Sequence, residues 1–219
     1  MKQYIWHYGE GELTFSIDER RIAAELHMAT TPVLDNPVQA VKNGLDHPIG
    51  SKPLRELVHP GETVAILAND PTRVANSHVF MPVLLDYLNE AGIPDSHMTI
   101  VFALGTHRRM TEEEMIDSVG AEVAGRVKMI NSYAKDSDDF VELGTTSFGT
   151  PVRFHKACVE ADHIICTGSV VHHFFAGYGG GRKALLPGCA EYETIRKNHS
   201  LMLNPAAEIG RLEGNPIYE

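Results

Sequence analysis

Thr63-Val64-Ala65-Ile66-Leu67-Ala68-Asn69-Asp70-Pro71-Thr72-Arg73 is the stretch on which the fold turns. Its first six residues form a short apolar run, which reads as a strand buried on both faces. The polar tail that follows breaks the run with an Asp-Pro step, a turn signal. A strand apolar on both sides belongs in a parallel sheet covered by helices. Downstream, Phe80, Leu84, Leu88 and Ala91 recur at helical spacing over 78–91, with Pro82 in the early turns and Gly92 and Pro94 as the stop. Met98 to Leu104 is a second buried run, and Val127 to Ile130 reads as a third strand. Thr111-Glu112-Glu113-Glu114 is a capping box that opens a helix. Val152 to Phe154 reads as a short edge strand, 156–161 as a helix and His163 to Thr167 as another strand.

Upstream, 36–58 reads as one or two short helices with loops. Before them, Tyr4, Trp6 and Tyr8 alternate with polar residues, Gly9-Glu10-Gly11 breaks the run, and Leu13, Phe15 and Ile17 alternate again, the pattern of a hairpin. Strand and helix alternate at roughly 30–35 residues per unit, the length of a βαβ repeat. The expected fold is α/β and Rossmann-like: a mostly parallel sheet with helices on both faces, preceded by an N-terminal β-hairpin. Residues 1–219 are expected to form one such domain. The segment 205–219 offers no closing element, so a further C-terminal domain is expected.

Composition narrows the partners. The chain has 219 residues, 43% of them apolar, enough for a sizeable core. Its formal net charge of −10 repels nucleic acid and anionic membranes, so an anionic substrate needs a local cationic pocket. No apolar run reaches membrane-spanning length. The start, MKQYIWHYGEGE, reads as a first strand rather than a signal peptide. Three cysteines, Cys158, Cys166 and Cys189, include no CxxC pair, which fits a reducing, cytoplasmic setting.

In open α/β sheets, ligands bind beyond the carboxyl ends of the strands. Asp70 and Arg73 follow the first core strand, as a polar pocket lining or as a turn that caps the next helix. His107 follows the second, as an acid/base group or a loop histidine. Arg108 and Arg109 read as surface or phosphate contacts. After the strand at 163–167 come His172 and His173, which face opposite ways if extended, so at most one enters a site. Gly177, Gly179, Gly180 and Gly181 then lead to Arg182 and Lys183. Such a loop can present amides to an anion, and its lysine can neutralise a phosphate or form a covalent adduct. Its spacing is neither that of a P-loop nor GxGxxG. His199 reads as a metal ligand or a helix-surface histidine, and Cys189 as a buried structural thiol. HExxH is absent.

Asp70-Pro71-Thr72-Arg73, Gly105-Thr106-His107-Arg108, and the run HFFAGYGGGRKALLPG from His173 to Gly188, with Asn198-His199 beyond, resemble the lactate racemase family of nickel-pincer-nucleotide 2-hydroxyacid racemases and epimerases. The resemblance covers most of the chain, about residues 1–219, and corresponds to about the N-terminal half of a member. It implies that Lys183 carries the covalently bound cofactor, nickel pyridinium bisthiocarboxylic acid mononucleotide, and that His199 ligates the nickel. It also implies that His107 and His173 are the acid/base pair, that Asp70 and Arg73 line the pocket, and that Gly179, Gly180, Gly181 and Arg182 hold the cofactor. Gly179 stands where some members carry a serine. The implied reaction is reversible hydride transfer between a small 2-hydroxyacid and the cofactor, and the implied partners are the cofactor-biosynthesis enzymes and the C-terminal domain. Two other readings of the same residues are a metal-dependent hydrolase or lyase and a non-catalytic nucleotide-binding module.

Overall fold

A computed structural model describes residues 1–219 as two compact units, Met1–Asp35 and Asn36–Glu219. In the first, β1 (Lys2–Tyr8) pairs antiparallel with β2 (Gly11–Ile17), Tyr4 opposite Phe15 and Trp6 opposite Leu13. The alternation therefore puts the aromatics on one face, where Tyr4 stacks on Phe15 at 5.6 Å and Trp6 meets its edge at 4.7 Å.

The second unit opens with α1 (Pro37–Asp46), capped by the Asn36 side chain, and a single 3-10 turn at Leu54–Glu56. Its centre is a four-stranded parallel sheet. β3 (Val64–Ala68) lies between β4 (Met98–Gly105) and the later strand β8 (His163–Cys166), and β5 (Lys128–Tyr133) lies outside β4, giving the order β5-β4-β3-β8. Every residue of β3 is buried, as a doubly covered strand requires. On one face Val64, Ile66, Ile100 and Phe102 pack against Met81, Leu84, Leu85 and Leu88 of α2 (Ser77–Glu90). Val119 of α3 (Glu112–Val119) and Val123 of α4 (Ala121–Ala124) complete that layer. On the other face Ala65, Leu67 and Val101 meet Cys158 of α5 (Lys156–Val159), together with Ala184 and Cys189. Both bonds of the capping box at Thr111 and Glu114 are present. No helix is long and apolar enough to cross a membrane.

Two elements depart from the expected pattern. Pro151–His155 (β7) is not an edge strand of the main sheet. It pairs antiparallel with β6 (Phe140–Thr145) as a separate ribbon, with a register shift between Glu142 and Gly144. A short connection can close an antiparallel pair, whereas a parallel addition needs a long crossover. The helix expected over 156–161 is only the one turn of α5, capped by His155 Nδ1, which accepts from the Ala157 amide at 3.2 Å. Beyond β8, β9 (His172–His173) and β10 (Gly177–Tyr178) form a small hairpin, and α6 (Tyr192–Ser200) follows the glycine loop.

Candidate functional site

The chain runs β3, β4, β5 outward and then returns to β8 on the other side of β3, so its strand order reverses beside β3, where open α/β sheets bind ligands. A cavity of about 270 Å³ lies there. It gathers Asp70 and Arg73 after β3, His107 after β4, His173 from β9, Gly179, Gly180 and Lys183 from the glycine loop, and His199 from α6. Gly181 and Arg182 lie across the loop, lining a neighbouring cavity with Leu212 and Tyr218. There the Arg182 guanidinium stacks over the Tyr218 ring at 3.6 Å, and its Nε is buried without a partner. Asn69, Thr106, Ser169, Val171, Pro187, Gly188 and Ile195 also line the main cavity. They are ordinary loop and core residues whose presence depends on tertiary contacts.

Asp70 is almost fully buried, at 5% exposure. Its Oδ1 accepts from the Thr72 amide at 2.7 Å and from the Thr72 hydroxyl at 2.6 Å, and its Oδ2 accepts from His107 Nδ1. Burial pushes this carboxyl up, but the bonds from Thr72 and His107 outweigh it and hold the group below its usual range. The turn foreseen at Asp70 is therefore real. It does not cap α2, whose N-cap is Asn76; it locks a carboxylate onto a histidine. Arg73 donates only to its neighbour Thr72 and pairs with no carboxylate. Arg108 and Arg109 are tied into ion pairs with Glu114 and Asp136.

His172 and His173 do point apart. His173 faces the cavity, whereas His172 lies against Tyr178 at 4.9 Å. His173 Nδ1 accepts from the Ala176 amide at 3.3 Å. Burial, and then the nearby Lys183, His199 and Arg73, lower its pKa to about 4. Phe175 is a hub that the sequence reading did not single out. Its ring meets His173 at 4.5 Å and His199 at 5.3 Å, and the Lys183 amine lies 6.0 Å from its centroid. Lys183 has no acidic partner; burial, and then Arg182 and Arg73, lower it to about 8. A neutral fraction of that amine is therefore available as a nucleophile near neutral pH. His199 stands one turn after Ile195 on α6, and both line the cavity, as i,i+4 neighbours should. Its buried Nδ1 makes no well-formed hydrogen bond, and burial, then Lys183, lowers its pKa against the opposing pull of the Ile195 backbone carbonyl one turn earlier.

The glycines serve close packing. The Gly179 amide is committed to the Val171 carbonyl at 2.7 Å. Gly180 has φ +75°, and a Cβ there would lie 2.6 Å from the Ser169 carbonyl oxygen. All three cysteines are free thiols, and Cys189 is fully buried, as a structural cysteine would be.

The chain is 34% identical over 216 residues to the lactate racemase of Lactiplantibacillus plantarum, covering 97% of this chain and 51% of that protein. It is 33% identical over 215 residues to the lactate racemase of Thermoanaerobacterium thermosaccharolyticum, covering 96% and 50%. The chain thus spans about half the length of the curated relatives it matches. Among solved structures, the lactate racemase apoprotein from T. thermosaccharolyticum superimposes with a TM-score of 0.84 at 32% identity, covering 99% of this chain and 51% of that one. A Thermotoga maritima protein gives 0.67 at 24% identity over 83% of this chain and 45% of that one, a likeness of fold alone. Matched from residue 8 to residue 210 by the model of that name, the chain belongs to the lactate racemase N-terminal domain family.

Proposed function

We propose that this chain is the cofactor-carrying domain of a racemase or epimerase acting on a small 2-hydroxyacid, completed by a C-terminal domain of the kind its longer relatives possess. The observation that carries this reading is the meeting of His107, His173, Lys183 and His199 in one cavity, with Arg73 uncommitted beside them. A nickel-pincer nucleotide fits this donor set. Lys183 offers an amine without a counter-ion for the covalent link, and the half-buried imidazole of His199 has a buried nitrogen with no well-formed hydrogen bond. When bound, the group supplies the acceptor for the substrate's α-hydrogen and the sink for its electrons.

The chain's own residues supply binding and proton handling. Arg73 and Lys183 make a local cationic pocket in a chain of net charge −10, and Arg73 is suited to the substrate carboxylate. His107 and His173 hold and release the proton of the 2-hydroxyl, one for each hand of the substrate. Once planar, the 2-oxoacid can be reduced on either face, which makes the reaction a racemisation. The hydrolase reading lacks support, because a hydrolytic metal centre draws three protein ligands and no such group of His, Cys, Asp and Glu exists here.

The test is intact-mass and metal analysis of the chain produced together with the cofactor-biosynthesis enzymes. The expected product is a heavy, nickel- and sulfur-containing adduct that is lost in Lys183→Ala and retained in His107→Ala and His173→Ala. Only bare chain in every preparation would refute the proposal.

A further inference from the structure

The two histidines facing the cavity are held by neighbours of opposite hydrogen-bonding character. His107 Nδ1 meets Asp70 Oδ2. Asp70 is held in its ionised form by Thr72 and His107 against the pull of burial, and an ionised carboxylate can only accept. The proton of the neutral His107 ring therefore sits on Nδ1, and Nε2 carries a bare lone pair. His173 Nδ1 instead faces the Ala176 backbone amide at 3.3 Å, a group that can only donate. The bare lone pair of His173 is therefore at Nδ1, and its proton is at Nε2. Each anchor is fixed by local structure: Asp70 by its turn with Thr72, and Ala176, 1% exposed, by the tight β9–β10 hairpin.

We propose that the fold holds His107 and His173 in opposite tautomers, so that His107 Nε2 is the resting proton acceptor and His173 Nε2–H the resting donor, with Asp70 the positioning residue for His107. This rests on the racemase reading. In the step it describes, the substrate O–H bond breaks, a bond forms between that proton and His107 Nε2, and the positive charge of the resulting imidazolium is balanced by Asp70. His173 Nε2–H donates a hydrogen bond to the substrate oxygen. Deprotonation of the opposite hand at His173 first requires that ring to move its proton from Nε2 to Nδ1 and to give up the Ala176 bond. The two directions of a racemase built on this chain are thus unequal in their first proton transfer.

The experiment is two-bond proton–nitrogen correlation NMR of the 15N-labelled 219-residue chain at neutral pH, with the two rings assigned from His107→Gln and His173→Gln. The expected spectrum shows His107 protonated at Nδ1 and His173 at Nε2. In Asp70→Asn the amide can donate to His107 Nδ1, so the His107 pattern is expected to swap to Nε2–H while that of His173 stays. The same tautomer on both rings of the wild type, or a folded Asp70→Asn chain with His107 unchanged, would overturn the proposal. The wild-type spectrum decides even where the variant does not fold. Wrong tautomers on a chain that carries the Lys183 adduct would sink this inference alone. Correct tautomers on a chain that never acquires the adduct would leave the histidine polarity standing and remove the racemase reading.

Discussion

Lys183 shows most directly what the site costs the fold. Its amine is largely withdrawn from water beside Arg182 and Arg73, with no carboxylate in reach, and is lowered to about 8. A group whose pKa is depressed by folding destabilises the native state wherever it must be charged, here increasingly as pH falls below the unfolded value. Lys183→Met keeps the stem and removes the charge. It is expected to stabilise the chain at pH 7 by about 1 kcal/mol, or roughly 2–4 °C in Tm for a domain of this size, as read by thermal denaturation. An unchanged or lower Tm would mean that the amine is not strained. The exchange of stability for reactivity is common at functional sites. At this scale the sequence shows which residue types are present but not their partners. Asp70 could be read as pocket or turn, and only the approach of β4 to β3 reveals that its second oxygen takes His107.

Among the elements, the turn that carries Lys183 is pressed onto β4. The Gly105 amide donates to the Gly188 carbonyl at 2.8 Å, and Gly188 donates to the Lys183 carbonyl at 3.1 Å. A Cβ at Gly188 would lie 2.3 Å from the Ala184 carbonyl oxygen and 2.5 Å from Ala103 Cβ, neither of which can swing aside. Gly188→Ala must therefore separate the turn from the strand. It is expected to destabilise by about 1–3 kcal/mol in urea denaturation, the usual range for an overpacked core. A loss under a few tenths of a kcal/mol would show that the contact yields. The strands β3 and β4, the start of α3 and the hairpin were legible because each is written in local pattern: unbroken apolar runs, a capping box and period-two aromatics. The strand β6 was not, since FVELGT carries little alternation and is a strand only because β7 lies beside it.

For the whole molecule, part of the acid side of the stability curve follows from two histidines, one buried and one half-buried, whose charged forms folding disfavours. Desolvation lowers His155, which is 4% exposed, and lowers His173 to about 4. Both titrate near 6.5 when unfolded, so between that value and the native pKa the unfolded chain binds more protons. The contribution of these two histidines is therefore full above pH 6.5 and falls as pH drops toward 4. Urea midpoints measured across this window should decline steadily, and His155→Asn should flatten part of the slope; a flat profile in the parent chain would contradict the burial. Residue order by itself determined the layered α/β scaffold and the end of the sheet where polar loops gather, because burial on two faces and the break after each strand are local properties of the chain. It also presented Lys183, His107, His173 and His199 as residue types suited to the chemistry. Only the tertiary structure decided that Arg182 turns away to Tyr218, that Asp70 grips His107 and that Phe175 sits among three site residues. These are distances between segments remote in sequence, set by the packing of strands, loop and helix around one cavity, and no local pattern encodes them.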